Sequence, residues 1–156
     1  MKSRYLMLLI VPLCMFTQYA RADFRDNNNG TVTDLKSNLM WQKCSAPSAA
    51  VTCGGVTPAT YSWDNALAYC NALSFAGHAD WRLPNVKELH SILDAGKNAS
   101  PTINTGYFTD AQAAYYWSAT TFVDTPSMAW YVDFSIGLVM TSPLDKLELN
   151  YVRCVR

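Results

Sequence analysis

The segment WRLPNVKEL, residues 81–89, decides the fold because it joins an extended stretch to the start of a helix. Pro84 biases the residue before it away from helical conformation, so the first part of the segment is predicted to be extended. Asn85 and Glu88, three residues apart, form the capping-box pattern that begins a helix. Gly96 is expected to end this helix. Its predicted core face carries four apolar residues, which are Val86, Leu89, Ile92 and Leu93.

A first helix is predicted upstream of this segment. Ser62 is its expected N-cap, and Asp64 lies in the first turn, where a carboxylate suits the helix dipole. Helical spacing places five apolar residues on one stripe, which are Trp63, Ala66, Leu67, Cys70 and Leu73. Before this helix, an Asn- and Gly-rich turn pattern at 26–30 precedes a short predicted strand at 31–33. A second turn pattern at 34–38 separates that strand from another at 39–42.

Strands are predicted downstream of the second helix. An apolar β-run covers 115–122, and an alternating, half-buried strand covers 130–135. Shorter strands are expected at 138–140 and 151–156. Burial is predicted for three large residues, Trp81, Leu83 and Trp117. The order of hairpin, two helices and antiparallel strands predicts a single α+β domain.

The N-terminus has the pattern of an export signal. Lys2 and Arg4 precede a mostly apolar stretch at 5–16, which is too short to span a bilayer comfortably. Ala20-Arg21-Ala22 matches the A-x-A cleavage pattern, so residues 1–22 are predicted to be a signal peptide and 23–156 the mature domain. We therefore expect a secreted or periplasmic protein whose mature chain does not insert into a membrane, with association at the cell surface as the open alternative.

The cysteine count fits an oxidising compartment. Without Cys14 of the signal, an even number remains, and such a set in an exported chain predicts two disulfides. Four cysteines can form two disulfides in three ways, and the sequence leaves all three open. A zinc site is disfavoured because there is no C-x-x-C pair and the histidines number two, His78 and His90. We expect no metal and no cofactor. The four cysteines are Cys44, Cys53, Cys70 and Cys154.

Six ordered segments together resemble the Lcl C-terminal domain family, named after the Legionella collagen-like adhesin. Two of the segments are also similar, more distantly, to the formylglycine-generating enzyme superfamily, which has a C-type-lectin-like fold. This resemblance implies two helices packed on a twisted antiparallel sheet. It also implies a long disulfide between Cys70 and Cys154, with Cys44 and Cys53 left as the second pair. The segments are TVTD with LMWQK, WDNA with YCN, WRLPNVKEL, YWS, AWYVDF and VRCVR, all read in chain order.

The resemblance implies adhesion or glycan binding at the bacterial cell envelope, because the family's named member binds sulfated glycosaminoglycans. Removing Lys2, Arg4 and Arg21 from twelve basic residues leaves nine, against twelve acidic ones. This net negative charge departs from the positive charge that a protein needs to bind a sulfated polymer. It also argues against nucleic-acid binding through bulk charge. The candidate ligand-binding residues are Lys97, Tyr107, Phe108 and Lys146, although core packing is the favoured role of the two aromatics.

We predict a non-catalytic recognition module whose partner is a glycan or an envelope protein. One alternative is a structural or assembly subunit of a surface appendage. A second is an oxidase like the formylglycine-generating enzymes, which needs a close pair of free cysteines to bind copper. Two disulfides would leave no such pair in the mature chain, so the enzyme is the weakest of the three hypotheses.

Overall fold

The computed structural model describes residues 24–94, 96–139 and 142–156, so the predicted signal peptide lies outside the described residues. Within these ranges the chain has an α+β architecture of two helices and two sheets. None of the described helices has both the length and the apolar character needed to cross a membrane. The elements are β1 (Phe24–Asp26), β2 (Thr31–Asp34), β3 (Met40–Gln42), β4 (Thr60–Tyr61), α1 (Trp63–Ala72), α2 (Val86–Ser91), β5 (Tyr115–Thr121), β6 (Met128–Asp133), β7 (Leu138–Val139), β8 (Leu144–Asp145) and β9 (Asn150–Tyr151).

The first sheet is the antiparallel meander β1-β2-β3, in which β2 and β3 correspond to the two predicted strands and β1 adds a third. Asn28 and Gly30 both have left-handed φ angles, of 57° and 85°, in the first turn. Gly30 is also required sterically, because a Cβ there would lie 2.4 Å from the Ala50 carbonyl oxygen and 2.4 Å from the Phe75 ring. A side chain at this position would therefore have to displace neighbouring backbone.

The second sheet has the order β4-β9-β5-β6-β7, and β8 also pairs with β6. The β5–β9 pair is parallel and the other described pairs are antiparallel. The prediction of a half-buried β6 is wrong, because Tyr131, Val132 and Asp133 are all buried. Tyr131 faces the cluster that contains the α1 residue Cys70, whereas Val132 faces the cluster that contains the α2 residue Leu89. Both faces of this strand are therefore covered.

The C-terminal segment differs from the predicted strand at 151–156. Ladder pairing ends at Tyr151, and beyond it Val155 forms isolated bridges to Trp41 and to Arg82. The segment thus lies between β3 of the first sheet and the extended start of WRLPNVKEL. Regular pairing is lost because the chain leaves one sheet to hydrogen-bond with two other segments.

The capping box that begins α2 is confirmed. Asn85 accepts a hydrogen bond from the Glu88 backbone at 2.9 Å, and the Glu88 carboxylate accepts one from the Asn85 backbone at 2.8 Å. Arg82 donates to both Glu88 oxygens at 2.7 Å, and this pairing is the main reason that the pKa of Glu88 is lowered. The helix ends at Ser91, earlier than predicted, because Leu93 turns away and bridges to Ile103.

One disulfide joins α1 to the C-terminal segment, and the other closes the loop between β3 and β4. Cys70 is bonded to Cys154 with a Cα–Cα distance of 5.6 Å, and Cys44 to Cys53 with a distance of 5.2 Å. Both pairings agree with those that the family resemblance implies. The predicted burial of three large side chains is also confirmed, since each is at most 2% exposed: Trp81, Leu83 and Trp117.

Candidate functional site

The two lysines proposed as ligand contacts are held by separate parts of the chain. The Lys97 amine donates to the Ile103 carbonyl at 2.9 Å. The Lys146 amine lies 3.8 Å from the centroid of the Trp63 ring and donates to the Thr121 hydroxyl at 3.0 Å. A lysine over an indole face is a stabilising cation–π contact. Each amine therefore has a partner within its own part of the fold, and the two amines do not contact each other.

The two candidate aromatics pack on the core. Phe108 is fully buried and meets the Phe24 ring edge-on at 5.3 Å, so its face is not presented to a ligand. Tyr107 is half-buried, with its ring centroid 5.7 Å from that of Phe24. Both residues thus serve the packing role that the sequence favoured for them. Ligand binding by the exposed part of Tyr107 stays a prediction.

A buried arginine ties the C-terminal segment to the first sheet and to the loop before β5. Arg153 is fully buried, and its guanidinium donates to the Gln42 carbonyl, the Ser45 hydroxyl and the Asp110 carboxylate at 2.9, 2.9 and 3.2 Å. The same guanidinium lies 4.8 Å from the centroid of the Phe108 ring. A charge buried this deeply needs such partners, so this network is structural.

Three potential metal ligands meet next to this network. The Cys44 and Cys53 sulfurs and an Asp110 oxygen all lie within 4.8 Å of one another. The two sulfurs are bonded to each other, and Asp110 accepts hydrogen bonds from Ser45 and from Arg153. The group is thus a cross-link beside an ion pair, with no thiolate to offer a metal.

A cleft of about 350 Å³ opens at one end of the second sheet. It lies where β5 begins and where β4 pairs with β9, and two alanines of the preceding loop form part of its wall. The side chains that give it chemical character are Thr60, Tyr115, Ser135, Leu149, Asn150 and Tyr151. Hydroxyls, an amide and apolar surface therefore line one concave site, which is the usual composition of a small-molecule pocket.

The aromatic and apolar walls of the cleft are held from behind. The Tyr115 ring is 38% exposed and lies 4.7 Å from the buried Tyr131 ring. Tyr151 rests against the buried Tyr116 at 5.5 Å. Leu149 is 62% exposed, so much of its surface is available for contact. The two tyrosines are thus supported by buried rings, while part of the surface of Tyr115 and Leu149 is exposed.

Asn150 lines the cleft, and its side-chain nitrogen is buried and unpaired. The residue is 6% exposed, and its Nδ2 has no hydrogen-bond partner within the part of the chain that the structure describes. Its backbone position is fixed by pairing with Tyr61 in the β4–β9 ladder. A buried amide without an acceptor is costly in the empty protein, and such atoms are rare in folded proteins.

The cleft is electrically neutral. None of its lining residues carries an acidic or basic side chain. The Asp133 carboxylate binds the Ser135 hydroxyl at 2.5 Å and the Ser135 backbone at 2.8 Å. Burial raises the pKa of Tyr131, and the nearby Tyr115 and Asp133 add to this shift, so the phenol behind the Tyr115 ring stays uncharged at neutral pH.

Sequence reasoning did not identify this cleft. Tyr115 lies at the start of an apolar run, and Tyr151 begins the predicted last strand, so both have the pattern of sheet residues. Asn150, between Leu149 and Tyr151, is a polar residue flanked by apolar ones, which is the one local signal that it has a special role. The position of Asn150 at the cleft depends on the parallel pairing of β5 with β9, and short-range sequence patterns do not predict that pairing.

The chain matches a known protein family. The family model described as the Lcl C-terminal domain matches residues 30–156, which includes both disulfides and the whole cleft. A search of curated proteins gave no match.

Proposed function

The chain belongs to the Lcl C-terminal domain family, and from this we propose that it is a non-catalytic recognition module that binds glycans outside the cytoplasm. The observation that carries the proposal is the neutral cleft, in which the exposed surface of Tyr115 and Leu149 lies beside the side chains of Thr60 and Ser135. Sugars present both apolar C–H faces and hydroxyl groups, so they complement a site with this mixture.

The two disulfides support a location of the protein at the cell envelope or outside the cell. Disulfides persist in oxidising compartments and are rare in the cytosol. Each described cysteine is paired, and Cys70 and Cys154 are fully buried. We propose export through the signal at 1–22, followed by adhesion or carbohydrate binding at the envelope.

The C-type-lectin-like fold is part of the same proposal. It is supported by α1 and α2 packed against the second sheet and by a disulfide from α1 to the C-terminal segment. The β3 strand also exchanges backbone hydrogen bonds with Arg156 through Met40, so the C-terminus lies against the first sheet.

A matched pair of leucines tests the cleft as the binding site. Leu149 lines the cleft, whereas Leu147, 83% exposed and two residues earlier, does not. For the strongest hit on an array of neutral, sialylated and sulfated glycans, we expect Leu149→Ala to weaken binding about three- to tenfold, because apolar contact is lost. Leu147→Ala should bind within about twofold of the parent chain.

Three results would contradict the proposal. If no glycan class on the array gave reproducible binding, the proposal of glycan recognition would be wrong. Equal losses in the two leucine variants would place the site elsewhere. Specific retention of an envelope protein, without any glycan binding, would favour the alternative of an assembly subunit.

A further inference from the structure

We infer that the disulfide between Cys44 and Cys53 is a site of reversible thiol–disulfide exchange, at which a dithiol reductant frees part of the loop between β3 and β4 while the rest of the domain stays folded. The part that is freed covers residues 51–58, which we call the strap. This inference goes beyond the proposed function, because it concerns a chemical modification of the domain and does not require glycan binding.

The two disulfides differ in their exposure to a reductant. Cys53 is half-buried, and two other side chains of the strap, Val51 and Val56, are 53% and 40% exposed. Cys70 and Cys154 are both fully buried in an apolar cluster of the core. Because a thiolate must reach a sulfur in order to attack it, we expect exchange at Cys53 in the native fold. Exchange at the long cross-link requires the core to open first.

The strap depends on this disulfide for its attachment to the domain. The segment before the strap is held independently, since the Ala46 backbone donates to the Val152 carbonyl at 2.9 Å. The segment after it is also held, because the Ala59 backbone donates to the Ala46 carbonyl at 2.9 Å. Within the residues that the structure describes, no hydrogen bond joins 51–58 to another segment. The bond at Cys53 is therefore the link that fixes the strap between these two anchors.

The exchange moves two electrons from the dithiol to the protein. A thiolate of the reductant attacks the Cys53 sulfur, and the sulfur–sulfur bond breaks with its electron pair going to the Cys44 sulfur. Cys44 then takes up a proton, and the Ala50 carbonyl oxygen, 3.8 Å from its sulfur, is placed to accept the thiol hydrogen. The second thiol of the reductant displaces Cys53 as a thiol, and the reductant leaves as a disulfide. An oxidising disulfide reverses these steps.

The first test is reduction of the folded chain with dithiothreitol under native conditions, followed by alkylation and peptide mapping by mass spectrometry. We expect Cys44 and Cys53 to be alkylated at least about tenfold faster than Cys70 and Cys154. Far-ultraviolet circular dichroism should be unchanged when the short disulfide alone is open. Oxidised glutathione should restore that disulfide after the reductant has been removed.

Limited proteolysis with thermolysin then reports whether the strap is freed. This protease cleaves before apolar residues, and Val56 is an exposed one within the strap. We expect cleavage before Val56 to become about tenfold faster once the short disulfide is open. Cleavage before Leu147, which is 83% exposed and lies outside this loop, is the internal control and should not change. A chain carrying both Cys44→Ser and Cys53→Ser should behave like the reduced chain without any reductant.

The outcomes that would overturn the inference are distinct from those that test glycan binding. Alkylation of neither disulfide, of both at equal rates, or of Cys70 and Cys154 first would each contradict selective exchange. Selective reduction without faster cleavage before Val56 would show that other contacts hold the strap. Failure of the short disulfide to re-form would contradict reversibility. If the double serine variant does not fold, the oxidised and reduced forms of the parent chain decide the comparison by themselves.

Discussion

Replacing both Cys70 and Cys154 with alanine is expected to lower the free energy of unfolding by about 4.5 kcal/mol in the chain-entropy description of cross-links. This bond joins residues 84 positions apart, so it restricts a large part of the unfolded chain. It also connects α1 to the C-terminal segment, and both sulfurs are fully buried in the cluster that contains Trp117. The alanine pair should therefore fold poorly at 37 °C.

The second disulfide supplies a matched control. Cys44 and Cys53 are nine positions apart, so their bond closes a much shorter loop, and the same description gives about 2.7 kcal/mol. Urea unfolding followed by tryptophan fluorescence would compare the two alanine pairs with the parent chain. Equal losses, or a larger loss for the Cys44 and Cys53 pair, would show that the long cross-link does not dominate the stability.

Trp117→Ala is expected to lower the free energy of unfolding by roughly 3–5 kcal/mol. Trp117 is fully buried on β5, and its indole donates to the Tyr61 carbonyl at 2.8 Å. Its ring also meets the Tyr131 ring edge-on at 6.5 Å. The substitution would leave a large cavity and an unpaired carbonyl between α1 and the second sheet.

Trp130→Ala is the control for this substitution. Trp130 lies on the neighbouring strand β6 and is half-buried, with a T-shaped contact to Phe122 at 5.5 Å. Its removal should cost less than half as much, because water can fill part of the space. Thermal unfolding of both variants, monitored by circular dichroism, provides the comparison. A near-neutral Trp117→Ala would mean that this residue is not part of the core.

Local patterns predicted the elements that local physics determines. The Asn-Gly turn before β2, the capping box of Asn85 and Glu88, and the stripe that places Cys70 on α1 each depend on residues close in sequence. The pairing of the disulfides came from the family resemblance, since spacing alone left three arrangements open. Local patterns were therefore sufficient for the turn, the helix cap and the helix stripe, and the family resemblance was sufficient for the disulfide pairing.

The predictions that failed or missed depend on contacts between distant segments. The C-terminal strand stops at Tyr151 because Val155 bonds to two separate segments. The half-buried pattern of β6 did not reveal that clusters containing α1 and α2 residues cover its two faces. Lys146 is placed on Trp63, and Asn150 is placed in the cleft, by strand pairings that no short window of sequence contains.

The most direct test of the account is to locate the bound sugar by two-dimensional NMR of the ¹⁵N-labelled chain. The glycan with the strongest array signal would be titrated while the amide resonances are followed. The account predicts that the backbone amides of 113–115 and 149–151, which line the cleft, shift together and saturate at one affinity. Shifts centred on Lys97 or Lys146, with the amides of 113–115 and 149–151 unmoved, would contradict it.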